Sequence, residues 1–243
     1  MTLRMRADRL LVERGLFESR AKAQAAIEAG LVVANDAVVR KPSEEVPVDA
    51  HVVASPAHPY VSRGGLKLAA ALDAFKFDPA GRVCLDVGSS TGGFTDVLIR
   101  RGAKRVYAVD VGRSQLHASL RGRPDIISLE ETDIRTLPAD RFAEAPDLVT
   151  VDVSFISLKQ VLPAALALAR KPAELVALIK PQFEAGRSAL KKGVVRDPAV
   201  RQAVCDDITS TVASLGWEVS GLIPSPIEGG DGNVEFLLGA RAR

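Results

Sequence analysis

From residue 82 onward, short apolar runs alternate with longer amphipathic ones. RVCLDVG, RVYAVDVG, DIISLEETD, DLVTVDVS and ELVALIKP are brief, β-branched and almost continuously apolar. Segments 94–101, 115–120 and 158–170 between them carry helical spacing. Near-continuous apolar strands are buried on both faces, so this alternation predicts a parallel sheet covered by helices on either side. Upstream, VSRGGLKLAAALDAF predicts a helix starting near Leu66. Downstream, Asp197-Pro198 predicts another that stops before Gly216, since Asp caps a helix and Pro suits its first turn. GWEVSGLIPSPI and NVEFLLGAR then predict a closing hairpin, for seven strands in all.

The first 40 residues follow a different rhythm. Leu10, Leu11, Arg14 and Leu16 stand near helical spacing, with Gly15 placed to stop the helix. Ser19 is a natural cap for a second helix, in which Ala23, Ala26 and Ile27 form the apolar stripe and which Gly30 ends. LVVANDAVVRKPS predicts two short strands around an Asn35-Asp36 turn. Residues 42–60 hold four prolines and mixed polarity, which predicts a domain boundary with some extended structure inside it. The expected domains are therefore 1–60, with its linker, and 61–243.

Composition narrows the class. With 243 residues, 47% hydrophobic and 26% charged, the chain has an ordinary globular balance. No apolar run approaches the roughly 20 residues of a membrane helix. The charged start MTLRMRADRLLVERG lacks a continuous apolar stretch, so no secretory signal and a cytoplasmic location are expected. Cys84 and Cys205 stand far apart, without His or Cys neighbours, and read as small core residues of a reducing compartment. No zinc and no other metal site is expected, and a monomer is the favoured state. Net charge is +2, but residues 1–42 hold eight Lys/Arg against five acids. A basic small unit on a near-neutral body points to a polyanionic partner.

The order of residues in that unit says more. Arg6, Asp8, Gly15, Ser19, Arg20, Ala23, Ile27, Gly30, Val32 and Asn35 fill the places of a known pattern. The segment resembles the RNA-binding domain named after ribosomal protein S-four. Asp36 departs from the glycine usual after the asparagine. The resemblance implies that Arg6, Arg20, Lys22 and Lys41 contact structured RNA, with Arg63 joining them, gripping phosphates by shape rather than reading bases.

LDVGSSTGGFTDVLI is a glycine-rich strand-to-helix turn, and three ligands compete for it. A nucleotide P-loop needs a lysine where Phe94 stands, so the terminal phosphates of ATP would lack a counter-charge. A dinucleotide turn needs glycine where Ser90 stands, although an acid after the second strand also suits NAD. S-Adenosyl-L-methionine has no phosphate and needs only close backbone approach, polar groups and a ribose acid. On that reading the cofactor set is Asp86, Gly88, Ser89, Ser90, Gly92, Gly93 and Phe94, with Asp110 for the ribose, Asp133 ending the third strand, and Asp152 ending the fourth.

Ligands of open parallel sheets sit beyond the carboxyl ends of the strands. The fourth and fifth ends carry Asp152 and Lys180, and VDVSF lacks the paired prolines usual where a planar nitrogen is methylated. The expected acceptor is therefore an oxygen. A hydroxyl must lose its proton to attack a methyl group, and a lysine whose proton affinity is lowered by burial or a second cation can help. Lys67, Asp152, Lys180 and Glu235 occur in the order and contexts of the Lys-Asp-Lys-Glu tetrad of FtsJ-like ribose 2′-O-methyltransferases. YVSRGGLKLAAAL, LDVGSSTGGFTDVLI, VDVSFISL and LIKPQFEAG together resemble the TlyA family, over nearly the whole chain.

That resemblance implies an α/β, Rossmann-like methyltransferase of seven mostly parallel strands with a small N-terminal α+β RNA-binding domain. It implies 2′-O-methylation of cytidine in ribosomal RNA, of the large subunit first and the small subunit as a further substrate. Ribosomal RNA or ribosomal subunits are the expected partners. Lys180 is then the base, Lys67 stands beside it to hold the ribose or phosphate, and Asp152 and Glu235 orient the lysines. Phe155 and Phe183 are placed to stack on or wall off a flipped base. Two other classes compete: an RNA-binding assembly factor with a vestigial cofactor pocket, and a membrane-active haemolysin, a name some relatives bear. The intact acids oppose the first, and the missing spans oppose the second.

Overall fold

The structure is a computed structural model and describes residues 3–243, without the side chain of Arg187. The chain divides into two compact units, residues 1–59 and 60–243.

In the first unit β1 (Arg4–Arg6) leads into α1 (Ala7–Glu13) and α2 (Arg20–Glu28). Then follow β2 (Val32–Ala34), β3 (Ala37–Val38), β4 (Glu45–Pro47) and β5 (Val52–Ala54). Ser19 Oγ accepts the Lys22 N–H at the start of α2, as its sequence position predicts. Leu10, Leu11, Phe17, Ala23, Ala26, Ile27 and Val32 close one core. Asn35 and Asp36 both take positive φ, 47° and 63°, in the turn between β2 and β3. Aspartate tolerates this region where the family pattern has glycine. β4 and β5 are the extended structure expected within residues 42–60, while β1 had no signal in the sequence.

Asp8 organises the basic edge of this unit. It is fully buried and accepts hydrogen bonds from Arg6, Arg20 and Gln24. The Arg6 guanidinium first, with Arg20 and Gln24, holds its carboxyl well below the usual carboxylate range against the opposing effect of burial. Both arginines keep about half of their side chains exposed (48% and 56%). The buried aspartate thus aims two guanidinium groups outward.

The second unit is built on seven strands. In chain order they are β6 (Val83–Val87), β7 (Arg105–Val109), β8 (Ile126–Leu129), β9 (Leu148–Val151), β10 (Ala173–Ile179), β11 (Glu218–Pro224) and β12 (Phe236–Ala242). Their spatial order is β11-β12-β10-β9-β6-β7-β8. β10, β9, β6, β7 and β8 run parallel, and the hairpin β11-β12 joins β10 antiparallel. Helices α3 (Gly64–Phe75) and α4 (Gly93–Arg100) carry Leu68, Leu72, Phe75, Val97 and Leu98 into one core. Helices α5 (Leu158–Ala167) and α7 (Pro198–Ser214) carry Leu158, Leu162, Val204 and Ile208 into the other, and one-turn α6 (Pro181–Glu184) follows β10.

The period of two along the strands decides which residues meet. Cys84, Leu148, Val176, Leu178 and Leu237 pack on the face covered by α3 and α4. Leu85, Val149, Val151, Ala177 and Ile179 pack on the face covered by α5 and α7. Continuing the alternation by one step puts Asp152, Lys180 and Glu235 on the α3 side. The chain order also sets a switch point: from β6 the sheet grows to β7 and β8 on one side and to β9 and β10 on the other. The crevice at the carboxyl ends of β6 and β9 is where such folds bind ligands.

Two expectations are corrected. Residues 115–120 form no helix, and 111–125 run as turns. The carbonyls of Ser114 and Leu116, which a helix would offer to backbone N–H groups, accept the Arg121 guanidinium instead. Glu130 accepts the N–H groups of Ser114, Gln115 and Leu116. Side chains therefore satisfy this backbone. The third strand ends at Leu129, so Asp133 does not end it but caps the next turn, accepting the Arg135 N–H.

Candidate active site

Two adjoining cavities open at the carboxyl ends of the parallel strands. The first encloses about 640 Å³ and the second about 500 Å³. Gly88, Ser90, Asp152, Ser154 and Phe155 line both.

Lys67, Asp152, Lys180 and Glu235 all line the first cavity. Register explains the meeting of Lys180 and Glu235. β12 runs antiparallel to β10 with Phe236 opposite Ile179, so the residue entering β12 faces the residue leaving β10. Backbone pairing does the same for Asp152, whose N–H donates to the carbonyl of Val87 at the end of β6. Lys67 comes from the first turn of α3, which packs on β10, β11 and β12. It is only 8% exposed, not the surface residue that its amphipathic helix suggests.

The four groups close as two ion pairs. Lys67 Nζ donates to Glu235 Oε2, both nearly buried. Lys180 Nζ lies 2.5 Å from Asp152 Oδ1 and donates to Ser154 Oγ at 2.9 Å. The Asp152 contact lacks hydrogen-bond alignment, so the pair is held by charge while Ser154 supplies direction.

The glycine turn is shaped by what stands beneath it. Gly88 has φ +82°, and a Cβ there would come within 2.3 Å of the Asp152 carbonyl. Only glycine lets the β6 and β9 ends approach so closely. At Gly93 a Cβ would meet Ser62 Oγ at 2.2 Å, so the starts of α3 and α4 also touch through a missing side chain. Asp110 accepts the N–H of Ser90 at 2.8 Å and of Gly112 at 2.7 Å, which fixes its carboxylate at the edge of the second cavity.

A match to the FtsJ-like methyltransferase family model covers residues 60–242, and one to the S4 domain covers residues 5–52. The chain is 44% identical to TlyA of Mycobacterium tuberculosis, which is named as a 16S/23S rRNA (cytidine-2′-O)-methyltransferase, across 100% of this chain and 92% of that protein. This chain belongs to the TlyA family of FtsJ-like methyltransferases. YqxC of Bacillus subtilis is 48% identical over 96% of this chain and 84% of its own length. A solved haemolysin-named protein of Streptococcus thermophilus, 40% identical, superposes with a TM-score of 0.78 over 100% of this chain and 90% of that one.

Within this TlyA-family chain the expected site residues divide. Ser89, Phe94, Gly93 and Arg63 line the first cavity, Asp110 and Asp133 the second, and Gly88, Ser90 and Asp152 both. Asp86 and Gly92 line neither. Asp86 is buried between the sheet and α4, where the Thr95 and Thr150 hydroxyls donate to it at 2.6 and 2.9 Å. At Gly92, whose φ is +92°, a Cβ would strike Leu120 at 2.4 Å. Both shape the turn from beneath. In the first unit Arg6, Arg20 and Lys41 are displayed, while Lys22 is 29% exposed and paired with Glu18.

Sequence reasoning gave no role to Ser154 or Gln182, although both lie inside quoted motifs. It also missed the loop before Glu235, where Asn233 donates to the carbonyls of Gly193 and Gly230 and ties two rim segments together. The glycine run at residues 229–232 was the available signal.

Burial pushes the Asp86 carboxyl up to about 6, against the two threonine hydrogen bonds that favour its charge. Its unfolded value is near 3.9. A raised carboxyl favours the folded state fully below the unfolded value, and that stability is lost as pH rises through about 6. The expected effect is on the order of 3 kcal/mol between pH 4 and 7. Thermal unfolding across this window measures it. An Asp86→Asn variant with an unchanged limb would assign the effect elsewhere.

Proposed function

We propose that this chain transfers the methyl group of S-adenosyl-L-methionine to the ribose 2′-hydroxyl of cytidine in ribosomal RNA. The large-subunit RNA is the first substrate and the small-subunit RNA a second. The observation that carries the reading is the convergence of two lysine–carboxylate pairs on one cavity that adjoins a second, acid-lined slot.

The residues of the slot fit this cofactor. Asp110 suits ribose hydroxyls, and Asp133, paired with Arg135 on the same wall, suits an adenine amine. Val109, Val111, Ile134, Val153 and Ile156 supply apolar walls. The missing side chain at Gly88 lets the ends of β6 and β9 close against each other at the floor of the slot. When bound, the cofactor supplies a methyl group on a sulfonium, an electrophile that leaves a neutral thioether. Asp110 would hold the ribose, and the turn from Gly88 to Ser90 would wall the methionine end.

Lys180 Nζ, after its ammonium has released one proton to solvent, is the atom that receives the hydroxyl proton as the oxygen–methyl bond forms and the sulfonium–methyl bond breaks. Asp152 and Ser154 keep it on the cavity wall. Lys67, buried and neutralised by Glu235, contributes directed N–H donors rather than a bare charge. Phe155 is 91% exposed with φ +65°, and its ring centroid lies 5.0 Å from that of Phe183. A bulky residue held there costs about 1–3 kcal/mol, which suits a surface that an unstacked base covers.

The relative from Mycobacterium tuberculosis supports the substrate through its name. The test is methyl transfer from labelled cofactor onto unmodified ribosomal subunits, followed by mapping of 2′-O-methylated nucleotides. New modification at cytidine riboses is expected. Labelling of base nitrogens alone, or no cofactor binding at millimolar concentration, would sink the reading.

A further inference from the structure

Glu235 is enclosed on two sides. Its Oε2 accepts Lys67 Nζ, and both side chains are almost buried. Its other flank lies against the backbone of Gly229. A Cβ built on Gly229 would stand 2.1 Å from Glu235 Oε1, 2.6 Å from its Cδ and 3.3 Å from its Cγ. Ordinary contact begins near 3.4 Å, so the carboxylate fills the place of a side chain at residue 229. The backbone itself does not ask for glycine. Gly229 has φ −74° and ψ −166°, an extended conformation with the negative φ of ordinary residues. Glycine stands there to leave room for Glu235.

The loop that carries Gly229 is braced against retreat. Ser225 donates its N–H to the Glu235 carbonyl at 2.9 Å, Gly229 to the Asn233 carbonyl at 2.8 Å, and Asn233 to the Gly230 carbonyl at 3.1 Å. The Asn233 side chain, in a residue only 4% exposed, ties the loop to Gly193 on the neighbouring rim. The backbone of Glu235 leads directly into β12 and is fixed by it. A side chain at residue 229 would therefore turn the Glu235 carboxylate out of its place rather than move the loop. Any such turn changes how the carboxylate receives Lys67.

Resting on the methyl-transfer reading above, we propose that Gly229 is a positioning residue, whose missing side chain seats Glu235 so that Glu235 can aim Lys67 at the acceptor ribose. A misplacement of about 1 Å in such a group costs up to about 100-fold in rate. Gly229 also lines the first cavity, so a substituent there has a second way to act, by obstructing the RNA directly. The two routes differ in one respect. Obstruction does not depend on the length of the side chain at residue 235, whereas displacement of the carboxylate does.

The test is a mutant cycle in the full-length protein: wild type, Gly229→Ala, Glu235→Asp and the double variant. Each is measured for single-turnover methyl transfer onto unmodified ribosomal subunits, for cofactor affinity and for subunit affinity. Gly229→Ala should slow transfer by about 10- to 100-fold. Both affinities should stay within about twofold, which places the loss in kcat rather than in binding. Aspartate keeps a charge for Lys67, and its carboxyl carbon would sit where the glutamate Cγ stands, 3.3 Å from the new Cβ instead of 2.6 Å. In the Glu235→Asp background the alanine should therefore cost less than about threefold, a non-additivity that an obstructed cavity or a damaged loop would not produce. Equal fold-losses in the two backgrounds would overturn the proposal, as would an unchanged rate in Gly229→Ala or a loss confined to subunit affinity. Where Gly229→Ala fails to fold, the double variant is compared with Glu235→Asp alone. Similar rates support the role, and a tenfold gap or a double variant that also fails to fold refutes it. A wild-type protein that transfers no methyl group refutes the underlying function. An active wild type with additive losses refutes only the role of Gly229.

Discussion

Lys180→Ala will abolish methyl transfer while leaving cofactor affinity within a few-fold. The side chain stands on the wall of the first cavity and is absent from that of the second, so its loss spares the slot proposed for the cofactor's ribose and adenine. A positioned base contributes roughly 10²–10⁴-fold to rate, and a loss of about a thousandfold or more in kcat is expected. A purely structural role predicts something different. If Lys180 only neutralised Asp152, then Lys180→Arg would restore the charge and most of the rate. A guanidinium does not give up its proton at working pH, so arginine should fail to rescue. Single-turnover transfer with saturating cofactor, alongside a binding titration, separates these outcomes. Near-wild-type turnover in either variant would remove Lys180 from the chemistry.

Deleting residues 1–59 is expected to weaken RNA binding by tenfold or more and to leave cofactor binding unchanged. The cut follows the division between the two compact units, and both cavities are lined entirely by residues from 62 onward. Electrostatic contacts to phosphates fall off with salt, by roughly 0.7–0.9 in log–log slope for each phosphate neutralised. Arg6, Arg20, Lys22 and Lys41 would suggest a slope change near 3. Asp8 already shares the charge of both arginines, and Glu18 that of Lys22. A change of about 2 is therefore expected. Paired Lys22→Glu and Lys41→Glu substitutions in the full chain carry the same expectation without cutting it. Equal RNA affinity in both variants would deny this unit a part in recognition.

The large sheet was readable because its strands are apolar throughout and its helices are not, which is a contrast of period that survives without neighbours. The turn at 115–120 was misread for the opposite reason. Its periodicity is genuine, but its carbonyls are claimed by Arg121 and its N–H groups by Glu130, both outside the window that a periodicity samples. Asp86 stands inside β6 on the face that α4 covers, where Thr95 of that helix and Thr150 of β9 meet it and keep it out of both cavities.

The sequence by itself determined which chemistry the chain carries: the two-unit order, the glycine turn without a P-loop lysine, and four charged residues in the contexts of a known tetrad. Those are properties of local composition and order, which need no partner to be seen. Only the tertiary structure decided who pairs with whom. Lys67 and Glu235 lie 168 positions apart and meet because β12 runs antiparallel beside β10 and α3 covers that face. Strand parity then put Asp152 and Lys180 on the same side. Sheet order and register arise from burying both faces of the sheet at once, and no stretch of chain contains that constraint on its own.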